Sequence, residues 1–172
     1  MRAVAKIETT NPRTTKLGMA FAGLVVSVVS VVGISAPAYA VTKVSQASAE
    51  SQFRAAGVTW SSSGNCSTRS NSTCTSFDQV NQSSVSGIVT LRNASGCAIN
   101  ITGGTEVGHA SGTYSHYNGY KIDISHNNCN NAYITGSFTR IADRGDGAPQ
   151  YQAASGNIYA DEGSHWDITY FG

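Results

Sequence analysis

Charge is scarce in this chain. Only 12% of its 172 residues are Asp, Glu, Lys or Arg, and the formal net charge is +1. The first forty residues hold four of the eleven basic residues and one of the ten acidic ones. The remainder therefore has seven basic residues against nine acidic, a net charge of −2. No basic stripe is left to hold phosphates, which excludes nucleic acid as a partner. The four cysteines include no Cys-x(2–4)-Cys pair, so a cysteine zinc site is excluded too. The glycine-rich stretch 103–108 lacks the Gly-Lys-Ser/Thr ending of a phosphate-binding loop. No internal repeat is present.

The start of the chain reads as a leader. Arg2, Lys6, Arg13 and Lys16 precede an apolar run from Leu17 to Ile34. Ser35-Ala36-Pro37-Ala38-Tyr39-Ala40 then places small residues at the −3 and −1 positions of a cut after Ala40. This is the pattern of a secretory signal peptide, residues 1–40, with Ala-x-Ala cleavage. The expected product, residues 41–172, is long enough for one domain with a real core. It is expected to be secreted or held at the cell wall, monomeric, and free of the membrane once the signal is cut.

Cys66, Cys74, Cys97 and Cys129 all lie after that cut. An even count in an exported chain predicts two disulfides. Three pairings exist. Cys66–Cys74 closes a Ser/Asn-rich loop and Cys97–Cys129 ties elements flanking the later motifs, and that pairing is the one expected.

The pattern of elements predicts an α+β domain, an antiparallel sheet with flanking helices. Residues 41–47 read as an unstructured lead-in. A short helix over 49–56 stops at Gly57, and a brief strand follows over 58–60. After a polar loop, Thr75 and Asp78 suggest a capped helix start, with Gly87 weakening its middle and Gly96 ending it. Strands are expected over 98–102, 119–125 and 165–171. A helix is expected over 131–141, a turn over 143–150, and strand structure over 151–159. Arg144-Gly145-Asp146 reads as ordinary turn chemistry, and His126 as a surface residue.

Two fragments carry the chemistry: His116-Tyr117-Asn118-Gly119-Tyr120-Lys121-Ile122-Asp123 and Glu162-Gly163-Ser164-His165. On the strand over 119–125, Tyr120, Ile122 and Ile124 share one face, with Lys121, Asp123 and Ser125 on the other. On the last strand Trp166, Ile168 and Tyr170 oppose His165, Asp167 and Thr169. Asp123 and His165 can therefore share the polar face of one sheet. His116 lies seven residues before Asp123, so a straight strand would put it on the wrong face. It must precede the strand and turn inward, with Gly119 permitting the bend. Two imidazoles and a carboxylate suit a zinc ion with an open position, and Glu162 is placed to act as a base.

His-x-x-Gly-x-x-x-Asp followed by Glu-x-x-His resembles the zinc D-alanyl-D-alanine carboxypeptidases. Their relatives include vancomycin-resistance dipeptidases, phage endolysin peptidases and the hedgehog signalling domain. The resemblance covers roughly residues 97–172. It implies that His116, Asp123 and His165 bind one zinc ion, that Glu162 is the catalytic base, and that peptidoglycan stem peptides are the substrate. Both a D-Ala-D-Ala carboxypeptidase and an L-Ala-D-Glu endopeptidase reaction fit. So does a zinc-stabilised binding module without turnover. Many members carry an upstream Arg that steadies developing negative charge; here that place reads Thr102-Gly103-Gly104-Thr105, and His109 is the candidate to replace it. Many members also have His-x-His where this chain has His165-Trp166-Asp167. His165 is preferred as the ligand because Glu162 stands three residues before it, with Asp167 placed just behind the ligands.

Overall fold

A computed structural model describes residues 41–172. The expected signal peptide, residues 1–40, lies outside these residues. Short β1 (Lys43–Val44) pairs antiparallel with β3 (Val80–Asn81). The main sheet has seven strands: β2 (Thr59–Trp60), β4 (Asn100–Gly103), β5 (Lys121–Ser125), β6 (Thr139–Ile141), β7 (Gln150–Gln152), β8 (Ile158–Asp161) and β9 (His165–Thr169). Its order is β2-β4-β5-β9-β8-β7-β6. Every neighbour is antiparallel except β2 beside β4, so the sheet is mixed at one edge rather than wholly antiparallel. Three helices, α1 (Gln46–Ala55), α2 (Gln82–Ser95) and α3 (Asn128–Ser137), complete an α+β fold. Among the described residues no helix is long and apolar enough to cross a membrane.

The period-two pattern sets the core. Ile122 and Ile124 of β5, and Trp166, Ile168 and Tyr170 in and after β9, are almost fully buried with Val85, Ile88 and Leu91 of α2. Phe53 of α1 and Phe77 add an edge-to-face aromatic pair at 4.9 Å. Each such side chain contributes about 1.5–3 kcal/mol when taken from water. Gly87 sits where α2 meets Tyr170: an added Cβ would lie 2.1 Å from the ring. The weak helix former is thus the residue that lets α2 approach the sheet.

Several boundaries differ from expectation. Residues 41–47 are not an unstructured lead-in, because Lys43 and Val44 pair with β3 and Ser45 caps α1 through its side chain. The helix expected from Thr75 begins only at Gln82. Gln79 has φ +63°, which no right-handed helix accommodates, and the Thr75 hydroxyl donates to the Ser61 carbonyl at 2.8 Å instead of capping. α3 starts three residues early, because Asn127 and Asn130 form a reciprocal capping box. It also ends early. Phe138 is extended, and 139–141 leave as β6 to pair with β7.

Both expected disulfides are present, Cys66–Cys74 and Cys97–Cys129. The first closes residues 66–74 into a loop, and the second joins the residue after the C-cap of α2 to α3.

Gly87→Ala tests the α2–sheet contact. The added methyl should lower unfolding stability by about 1–3 kcal/mol through overpacking, despite alanine's better helix propensity. A chemical denaturation series on the mature chain reads this, and a stabilised variant would show that Tyr170 can yield.

Candidate metal centre

The polar face of β5 and β9 forms the floor of a cleft of about 470 Å³. A groove of similar size between α1 and α2 has no titratable side chain, so the chemistry lies in the cleft. The two strands are in register with Asp123 opposite Asp167 and Ser125 opposite His165. Between β4 and β5 the register shifts by one residue, which sets Gly103 opposite Asp123. A Cβ on Gly103 would lie 2.4 Å from Asp123 Oδ2. The bulge and the missing side chain together make room for the carboxylate.

His116 does turn inward before β5, as its spacing requires. The His116 carbonyl accepts from the Gly119 N–H at 2.7 Å, and Gly119 takes φ +77°. A Cβ there would meet the backbone of Gln79, Val80 and Asn81 within 3 Å, so only glycine makes this turn. His116 is 4% exposed. Its Nδ1 lies 2.8 Å from the Gly104 carbonyl oxygen, which can only accept, so this nitrogen carries the proton. Nε2 then faces Asp123 Oδ1 at 3.2 Å and Asp167 Oδ1 at 3.7 Å. Neither carboxylate oxygen has a hydrogen-bond partner, and both are buried.

A neutral imidazole nitrogen facing two bare carboxylate oxygens demands positive charge between them. The pKa of His116 reflects this. Burial works to lower it, but the hydrogen bond that a protonated Nε2 would give Asp123, the charges of Asp123 and Asp167 and the Gly104 carbonyl together raise it. A cation would serve the same need.

Other donors converge from different elements. His165 Nε2 lies 3.7 Å from Asp123 Oδ2 and 3.3 Å from Glu162 Oε2, while its Nδ1 meets the Ser164 hydroxyl at 2.9 Å. His109 stacks on His116 with centroids 3.8 Å apart and brings Nδ1 to 3.8 Å from Asp123 Oδ2. His109, His116 and Asp123 each offer a donor atom, all within 4.8 Å of one another, and that group could hold a metal ion. Ligands about 2.0–2.2 Å from a tetrahedral zinc ion lie roughly 3.3–3.6 Å apart. The separations of Asp123 from His116, His165 and His109 fall around that range. The charges suit a divalent ion as well. Asp123, Asp146, Glu162 and Asp167 line the cleft against Lys121 and Arg144, a formal charge of −2 with neutral histidines.

Four residues in or against the cleft, Glu106, Lys121, Arg144 and Asp146, were not legible as site residues in the sequence. Glu106 is 2% exposed and accepts from the backbone N–H of Ser76 at 2.7 Å and of Gly104 at 3.1 Å. It also lies 3.1 Å from His109 Nε2. The carboxylate accepts a hydrogen bond from the His109 Nε2–H, so Nδ1 of neutral His109 shows the cleft a lone pair. The donor role expected of His109 requires the doubly protonated ring. Arg144 was read as turn chemistry, and it does occupy a turn, closed by its own N–H to the Ala148 carbonyl at 2.9 Å. Its guanidinium also reaches Glu162 and Asp167 inside the cleft. Lys121 joins Asp167 from the other side at 2.5 Å. Their signal was weak because the contacts of Glu106 with Ser76, of Lys121 with Asp167 and of Arg144 with Glu162 and Asp167 join segments far apart in the chain.

The segment before residue 97, which showed no motif, buttresses the site. Arg69 of the Cys66–Cys74 loop lies 3.9 Å over the Tyr117 ring and donates to the Tyr117 and Thr105 carbonyls. Ser76 accepts from Thr105 and would lie 2.0 Å from a Cβ on Gly104. His126 is half-buried, with Asp161 at 3.4 Å, and stands apart from the cleft.

No protein-family model, curated protein or solved structure matches the chain.

Glu106→Gln tests the buttress. The amide NH₂ would confront backbone donors, costing about 1–3 kcal/mol. Burial works to raise the Glu106 pKa, but the bonds from His109, Ser76 and Gly104 outweigh it, and the net direction is down. A lowered folded pKa gives stability that is present above the unfolded value near 4.3 and lost as pH falls through the folded one. The stability gap between wild type and Glu106→Gln, measured by denaturation, should therefore be widest near neutrality. It should narrow on acidification below about pH 4. A gap independent of pH would mean that the carboxylate charge is not what holds the loop.

Proposed function

We propose that the protein is a secreted zinc-dependent peptidase acting on the peptide stems of peptidoglycan. The observation that supports this reading is the His109, His116 and Asp123 group that could hold a metal ion, with His165 Nε2 3.7 Å from Asp123 Oδ2 and Glu162 Oε2 beside His165. The donors fit zinc: two imidazoles with their outer nitrogens held by Gly104 and Ser164, and one carboxylate with an unpartnered buried oxygen. Such outer contacts are what fix the ring orientation of a metal-binding histidine. The substrate class rests on the resemblance of the two motifs. The disulfides suit an oxidising, extracellular compartment.

When bound, zinc supplies Lewis acidity and lowers the pKa of a water in its sphere. His116, Asp123 and His165 would hold it. Glu162 Oε2 would take the proton of the attacking water and return it to the leaving amine. The cationic groups nearest the reaction are Lys121 and Arg144, since the upstream arginine of the resembled family is missing. Asp167 keeps both at the cleft by accepting from each through Oδ2, at 2.5 and 2.8 Å.

Metal analysis of purified mature chain should find one zinc per molecule. His116→Ala and Asp123→Ala should each lose most of it, since only two ligands would remain. Comparing His165→Ala with His109→Ala identifies the third ligand: the expected result is metal loss in the first and retention in the second. Full occupancy in the His116 and Asp123 variants would put the ion elsewhere.

Glu162→Gln should retain zinc and fold, yet cleave a stem peptide about 10²–10⁴-fold more slowly. Liquid chromatography of muropeptide digests, with and without chelator, provides the measurement. A wild type that holds zinc and cleaves nothing would instead indicate a binding module.

A further inference from the structure

The Arg144-Gly145-Asp146 turn does more than reverse the chain. Asp146 grips the side of the Arg144 guanidinium, with Oδ1 and Oδ2 2.9 and 3.0 Å from Nε and Oδ2 2.6 Å from Nη2. Asp146 is itself pinned by the Ala148 N–H at 3.2 Å. The other edge of the guanidinium faces into the cleft. Nη2 donates to Glu162 Oε1, and Nη1 donates to Asp167 Oδ2 at 2.8 Å. Glu162 thus has one oxygen tied to Arg144 and the other turned toward His165.

We propose that Arg144 is the positioning residue for Glu162, locking the carboxylate so that Oε2 faces the metal position, with Asp146 as the clamp that aims the guanidinium. The inference rests on the reading of Glu162 as the base. The physical need is clear from the surroundings. Glu162 lies in the short link between β8 and β9, beside Gly163 at φ +78°, and its side chain is 32% exposed. Without a partner it would rotate toward water and away from Asp123 and Asp167. A planar, forked cation holds two carboxylates at fixed separation, which an ammonium does less well. Arg144 reaches both Glu162 and Asp167, so one side chain sets the spacing between the base and the carboxylate behind His116.

The test uses the zinc-loaded mature chain and a synthetic stem peptide. Arg144→Ala should lower kcat on the order of 10²-fold, the usual cost of a misplaced group, with KM within about twofold of wild type. Arg144→Lys should recover part of the loss, and Asp146→Asn should fall between Arg144→Ala and wild type. In a Glu162→Gln background, Arg144→Ala should cost nothing further, because the residue it positions no longer works. Additive losses, or a KM effect with kcat kept, would overturn the proposal by showing that Arg144 meets substrate directly. Three-bond NMR couplings across Glu162 χ1 give a readout that needs no turnover. They should report one staggered rotamer in wild type and averaging in Arg144→Ala and Asp146→Asn. Unchanged couplings would overturn the proposal even if activity falls. An inactive wild type would sink the peptidase reading alone, and the couplings would still decide the role of Arg144.

Discussion

The register of β5 against β9 decides where every charged group of the cleft can stand. Asp123 faces Asp167 across a directly paired position, and His165 faces Ser125 one step along the same face. Because side chains alternate with period two, this register also sends Ile122, Ile124, Trp166 and Ile168 into the core beneath. A slip of one residue would bury the carboxylates under α2 and expose the isoleucines. The apolar core and the polar cleft are therefore two faces of one constraint. The hydrophobic stabilisation of the core is what holds two like-charged carboxylates opposite each other. Lys121 and Arg144 on Asp167 Oδ2 reduce the electrostatic cost.

Around that register the chain makes room with glycine and fills it with histidine. Gly103 leaves space for Asp123, Gly104 closes on the Ser76 backbone, and Gly119 lets the chain turn against residues 79–81. Each close approach brings a polar backbone group to bear on the site. The clearest is the Gly104 carbonyl, which fixes the His116 tautomer, while the Gly104 N–H holds Glu106. The segment from Arg69 to Asn81 forms the back wall, although nothing in its composition suggests a role at a metal centre. Apart from the Arg69 side chain, its contribution is made with backbone atoms such as those of Ser76, and backbone roles leave almost no mark on residue type.

What was legible in the sequence was what depends on local periodicity. The alternation over 119–125 and 165–171 pointed to the two central strands, which run over 121–125 and 165–169, and to their polar faces. The inward turn of His116 followed from an odd spacing. The disulfide pairing followed from loop length and position. What was not legible depended on distant contacts. The helix expected at Thr75 fails because that segment spends its hydrogen bonds on Glu106, Gln46 and the loop carbonyls. The strand at 139–141 looks helical until β7 is there to pair with it. Arg144 looks like a turn residue because its partners lie 18 and 23 positions away.

The cleft can also be understood as a balance that its own residues leave incomplete. Four carboxylates face two cations, and two buried carboxylate oxygens point at a histidine nitrogen that has no proton in the neutral ring. A fold that wanted only stability would have paired those oxygens or replaced them with apolar groups, since an unsatisfied buried acceptor costs about 1–3 kcal/mol. Keeping them bare is a cost that a bound cation would remove, and its binding energy would then become folding energy. The same balance explains why Glu162 is held by an arginine at the rim and not buried with the others. A carboxylate drawn into the centre would offer a ligand atom instead. Kept 32% exposed and tied through one oxygen, it leaves the other facing His165, the arrangement that the proposed role as a base requires.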